Sequence, residues 1–147
     1  MDAILRTGPT SPTFGFLKFR GEPHRGGGEF NCLATVEAND QTYEIKLEMI
    51  DAYLAMMLEF FDDIGRMARR GWSGEKQWES EFAEMRIGAS SRGTGEVRFD
   101  LMMRWPPNYA DRWEGTLVFT ADAVERFAQR MKQFMRAEGR SWFGRSG

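Results

Sequence analysis

The stretch QTYEIKLEMIDAYLAMMLEFFDDIGRMARRG, residues 41–71, decides the reading of the chain because its hydrophobic period changes once, around Met49 to Asp51. Before the change, Tyr43, Ile45, Leu47 and Met49 alternate with Thr42, Glu44, Lys46 and Glu48, the pattern of a strand with one face on a core. After it, Tyr53, Leu54, Met57, Leu58, Phe61, Ile64 and Met67 recur at three and four, which makes an amphipathic helix of about four turns. Asp51 is placed to cap this helix, Arg66, Arg69 and Arg70 suit its negative end, and Gly71 is placed to stop it.

Upstream, EFNCLATVEA sends Phe30, Cys32, Ala34 and Val36 to one face, which makes Cys32 a core residue. Asn39 and Asp40 then supply a tight turn into residues 41–50, so a hairpin is expected. TFGFLKFR reads as an earlier strand ended by Gly21 and Pro23, and EPHRGGGE as a loop. Met1 to Pro12, with Gly8, Pro9 and Pro12 among small polar residues, reads as a loosely held arm.

Downstream, GWSGEKQW forms a corner. Three strand patterns follow: ESEFAEMRIGAS with Met85, Ile87 and Ala89 inward, EVRFDLMMRW with Val97, Phe99, Leu101 and Met103 inward, and RWEGTLVFT with Trp113, Leu117 and Phe119. Thr120 caps a second helix, in which Asp122 suits the positive end and Val124, Phe127, Ala128, Met131, Phe134 and Met135 form the buried stripe. The expectation is an α+β fold: a twisted antiparallel sheet of about six strands, in βββα-βββα order, with two helices packed on it. It forms a single domain over 13–138, with a flexible arm at 1–12 and a basic tail at 139–147.

Composition narrows the function classes. The 147 residues carry 20 basic and 22 acidic side chains, a formal charge of -2, so no overall field draws the chain to nucleic acid or anionic lipid. One cysteine and one histidine rule out disulfide frameworks and Cys/His zinc clusters. No cofactor or metal is expected. The first residues lack the apolar run of a secretion signal and no stretch is long enough to span a bilayer, so a cytoplasmic location is expected.

Several constellations have bland readings that outweigh sharper ones. Gly26, Gly27 and Gly28 precede a strand where a phosphate loop needs a helix, and His24 has no orienting partner. Asp62, Asp63, Glu75, Glu79, Glu81 and Glu84 read as a solvated face, or as an acidic docking surface for a basic partner. Ten methionines at periodic positions read as core filling. Trp142 and Phe143 in the tail are either packed back on the sheet or a small contact patch. The segment from Arg70 to Trp78 concentrates two tryptophans and two glycines. As a corner it needs no ligand, whereas with its indoles partly exposed it would supply interface anchors.

The run from the first helix through Gly71-Trp72-Ser73-Gly74 and Trp78-Glu79-Ser80-Glu81, then Gly95-Glu96-Val97, Trp113 and the closing helix, resembles a bacterial family of unknown function. That family is distantly similar to immunity proteins of the WapI type, which protect a cell from a contact-delivered toxin. The resemblance spans roughly Ile50 to Glu138 and implies no catalytic residue. It implies a non-enzymatic protein-interaction module, with a protein partner such as a cognate toxin, and the partner-binding patch nominated here is Trp72, Glu75, Trp78 and Glu79. The alternative is a small-ligand-binding or enzymatic domain whose pocket lies between sheet and helices.

Overall fold

The period change around residue 50 is where a strand hands over to a helix, and the second half of the chain repeats the same layout. The computed structural model describes residues 3–6, 13–20, 29–38 and 40–139, with side chains for most of residues 33–133. The first half runs β1 (Ala3–Arg6), β2 (Thr13–Arg20), β3 (Glu29–Ala38), β4 (Gln41–Ile50) and α1 (Asp51–Arg69). The second runs β5 (Ser73–Glu79), β6 (Met85–Arg92), β7 (Glu96–Trp105), β8 (Asp111–Thr120) and α2 (Ala121–Gly139). Each set of four strands is an antiparallel sheet paired in chain order.

The α+β class, the two helices and the antiparallel pairing agree with expectation. The single six-stranded sheet does not: there are two four-stranded sheets, and each half is ββββα. Two strands account for the difference. Ala3–Arg6, read as part of an arm, pairs with β2 in the register Ala3 to Phe16 through Arg6 to Thr13. Ser73–Glu79, read as a corner, pairs with β6 from Ser73 opposite Arg92 to Glu79 opposite Arg86. An edge strand needs few apolar residues, and in β5 only Trp78 is buried, so the charged run around it hides the alternation.

The helix ends follow their local chemistry. The hydroxyl of Thr120 accepts the amide of Ala123 at 3.2 Å, which caps α2. Gly71, at φ 82°, takes the left-handed conformation that closes α1, and its amide donates to the carbonyl of Ala68 at 3.0 Å. The β3–β4 turn places Asp40 at φ 63°, a conformation that Asp tolerates.

The expected inward faces form one core. Ala34, Val36, Ile45 and Leu47 come from the first sheet, and Met85, Ile87, Ala89, Val97, Phe99, Leu101, Met103, Leu117 and Phe119 from the second. Phe61 of α1 is fully buried where these layers meet, edge-on to Phe127 of α2 at 4.9 Å and tilted against Phe99 of β7 at 5.9 Å. Burial of one such side chain contributes about 1.5–3 kcal/mol, and the aromatic pairing adds to that. The helices run antiparallel: Asp62 meets Lys132 at 3.3 Å, Gly65 lies against Glu125, and Arg69 bridges Asp122 and Glu125. Those two carboxylates hold the Arg69 guanidinium above its ordinary pKa, through the hydrogen bond to Glu125 first and the charge of Asp122 next.

Among the described residues, no helix is long and apolar enough to cross a membrane. The side chains of Phe30, Cys32, Leu54, Phe134 and Met135 lie outside the described residues, as do His24, Gly26 to Gly28, Trp142 and Phe143.

Candidate functional site on the outer face of the second sheet

Strand alternation that buries odd-numbered residues of β6, β7 and β8 turns the even-numbered ones outward, and the register aligns them in rows across the sheet. One row is Gln77, Gly88, Asp100 and Thr116, taken from β5 to β8 in order. It is flanked on one side by Glu75, Ser90, Arg98 and Val118, and on the other by Glu79, Arg86, Met102 and Glu114. Because Gly88 has no side chain, the middle row is low. A depression of about 460 Å³ lies on its Glu75 side and one of about 510 Å³ on its Met102 side, and both include Gln77, Gly88 and Asp100.

Most charges on this face are internally balanced. Arg86 donates twice to Glu79, at 2.8 and 3.1 Å, Arg98 donates to Asp100 at 3.2 Å, and Arg112 pairs with Glu114. Thr116 donates its hydroxyl to the same Asp100 oxygen at 2.8 Å. Exposed pairs of this kind contribute about 0–1 kcal/mol each, so they fix side-chain positions more than they stabilise the fold. Glu75 makes no ion pair among the described residues.

The four nominated residues separate by face. Glu75 and Glu79 are exposed on the outer face of β5. Trp78 points the other way and is 4% exposed, within the core and opposite Ile87, so its indole is not a surface anchor. Trp72 is half-buried, and its ring lies across Gly74, where a Cβ would come within 2.8 Å of the indole nitrogen. Packing against the core therefore accounts for the indole of Trp78 fully and for that of Trp72 in part.

The remaining acidic residues do not converge. Asp62 and Asp63 lie on α1, engaged by Arg66 and Lys132. Glu84 is buried in the β5–β6 connection, accepting a hydrogen bond from Ser80 at 2.6 Å. Among the described residues no group of three or more His, Cys, Asp or Glu is placed to hold a metal ion. The space between sheet and helices, the expected place of a ligand pocket, is occupied by Met57, Phe61, Phe99, Phe127 and Met131. A further groove, about 640 Å³, runs outside the helix pair between Arg66, Arg69, Asp122 and Arg130.

The row across Gly88 is not apparent from the apolar half of each alternating strand. The signal was present in the complementary positions, where Gly88, Ser90 and Thr116 are small among charged neighbours.

Comparison with known proteins adds a family. A family model, described as a family of unknown function, matches residues 10–138. No curated protein matches the chain significantly. Among solved structures, the chain is similar to MRP1/MRP2 of trypanosoma bruciei, with a TM-score of 0.48 and 12% identity, covering 99% of this chain and 87% of that one.

Proposed function

The chain belongs to DUF6228, a family of unknown function, so its activity has to be read from its own surface, and we propose that it is a non-enzymatic protein-interaction module, such as an immunity protein that neutralises a toxin in the cytoplasm. One observation carries this reading: Glu75 and Glu79 stand on a single exposed face of an edge strand, beside a depression at Gly88 rimmed by the polar side chains of Gln77, Ser90 and Asp100. Inhibition by occlusion needs shape and charge complementarity and no reaction centre. Trp78, on the opposite face of the strand, is buried in the core beneath the patch, and Trp72 just before the strand packs partly against that core.

The test is affinity capture from the native host, with a tagged chain and two charge-reversed variants. Glu75→Lys with Glu79→Lys is expected to lose a partner that wild type retains, while Arg126→Glu on the helix side keeps it. Circular dichroism establishes that both variants are folded. Retention of the same partner by the β5 variant rejects this face as the docking surface.

A further inference from the structure

We propose that the free edge of β5 accepts an extended strand from a protein partner, antiparallel to it, in which an acidic residue is followed directly by a basic one. The inference rests on the docking role given above and specifies its geometry.

Among the described residues, β5 is paired on one side only, with β6. The other end of the same sheet abuts the first sheet, through Tyr43 stacked on Trp113 and Trp105 bonded to the carbonyl of Glu44 at 2.6 Å. Around Lys76 both faces of the pleat are open, whereas Trp78 is buried on the inner face further along. Glu75, Gln77 and Glu79 are exposed on the outer face, and Lys76 is exposed on the inner one although its neighbour across the ladder, Ala89, is 2% exposed. Lys76 is exposed among the described residues, and the main-chain groups along an edge strand supply hydrogen bonds to an incoming strand.

Charge selects what pairs there. In antiparallel pairing, directly opposite residues share a face, and like charges opposite one another are unfavourable. A second copy of β5 centred on Glu75 opposes two glutamates, and one centred on Lys76 opposes two lysines. Centring on Gln77 sets Glu75 against Glu79 twice. Each of these three self-pairings is thus disfavoured. A foreign antiparallel strand satisfies it by placing an acid opposite Lys76 and then, as the next residue, a base opposite Glu75. Glu79 is already held by Arg86 and asks for nothing further.

The experiment titrates the isotope-labelled full chain with two synthetic peptides rich in threonine and valine, one with a central Glu-Lys and the other with Lys-Glu. The Glu-Lys peptide is expected to slow amide exchange across Ser73–Glu79, to give cross-strand nuclear Overhauser contacts to β5, and to bind at least about threefold tighter than its reverse. A Glu75→Lys, Lys76→Glu double variant is expected to invert that order. Equal affinity for the two peptides, absence of binding by either, or protection confined to other elements overturns strand addition. Loss of native-partner capture in Glu75→Lys without protection of β5 amides in the complex also overturns it while leaving the docking face intact. Undiminished capture sinks the docking face itself.

Discussion

Tyr43 of β4 and Trp113 of β8 stack with ring centroids 4.9 Å apart and planes inclined by 26°, so an edge strand of each sheet contributes one ring to the contact that joins them. The indole reaches this position by lying across Gly115, two residues further on and on the same face. A Cβ there would come within 2.5 Å of the ring. Gly115→Ala is therefore expected to lower unfolding free energy by about 1–3 kcal/mol, the usual cost of forced repacking. In a Trp113→Ala background the same substitution is expected to cost little, because the clash is gone. Urea denaturation of the four proteins checks this, and an equal penalty in both backgrounds contradicts the account.

Trp78 and Glu75 sit three residues apart on one strand and are expected to respond in opposite ways. Trp78 is buried, and its indole N–H has no partner among the described residues. Trp78→Ala is expected to cost about 3–5 kcal/mol as a core truncation. Trp78→Phe removes the orphaned donor together with part of the ring, and the two effects oppose each other to within about 1 kcal/mol. Glu75→Ala is expected to leave stability unchanged and to act on partner binding alone. Thermal denaturation of the three variants separates a structural residue from a presenting one.

Most of the fold was legible because most of its elements bury one face and so carry a period. The change at residue 50, the caps at Thr120 and Gly71, and the inward residues of β6 and β7 follow directly from spacing. β5 was not legible, because an edge strand with one buried residue has no period to detect. The division into two sheets was also out of reach. Antiparallel strands in sequence pair with their neighbours in either arrangement, and nothing in residues 41–79 marks that β4 and β5 stay apart. For the site, Glu75 and Glu79 were identifiable as exposed, but separating buried Trp78 from them required knowing that residues 73–79 form a strand, which the pairing with β6 supplies.

The β5–β6 connection contains a buried polar contact that makes its own test. Ser80 donates its hydroxyl to Glu84 at 2.6 Å and accepts the amide of Met85 at 3.0 Å, with Glu84 only 6% exposed. Ser80→Ala leaves a buried carboxyl and a buried amide without that partner, at an expected cost of about 1–3 kcal/mol. The carbonyls of Ala83 and Glu84 also accept from the side chain and amide of Arg104, each at 2.9 Å, so this connection is tied to the end of β7. The loss is expected to appear in hydrogen exchange as faster opening of residues 79–86 together with 103–105. Local opening confined to residues 80–84 contradicts that coupling.

Gly65 marks the closest approach of the two helices. A Cβ there would meet the Glu125 side chain at 2.7 Å and its backbone at 3.1 and 3.2 Å. Alanine in place of glycine in a helix interior ordinarily contributes about 1 kcal/mol of stability through propensity. Here the neighbouring atoms include backbone, which cannot move aside as a side-chain tip can, and displacing it costs about 1–3 kcal/mol. Gly65→Ala is thus expected to be net destabilising by about 1 kcal/mol. The displacement also moves Glu125 away from Arg69, one turn along α1, which now bridges Glu125 and Asp122. That bridge is exposed and screened by salt, so the stability difference between wild type and Gly65→Ala is expected to narrow but persist at about 1 M salt, where the screening length is about 3 Å. A difference that vanishes there assigns the whole effect to the ion pairs, and a stabilised variant shows that the helices separate without cost.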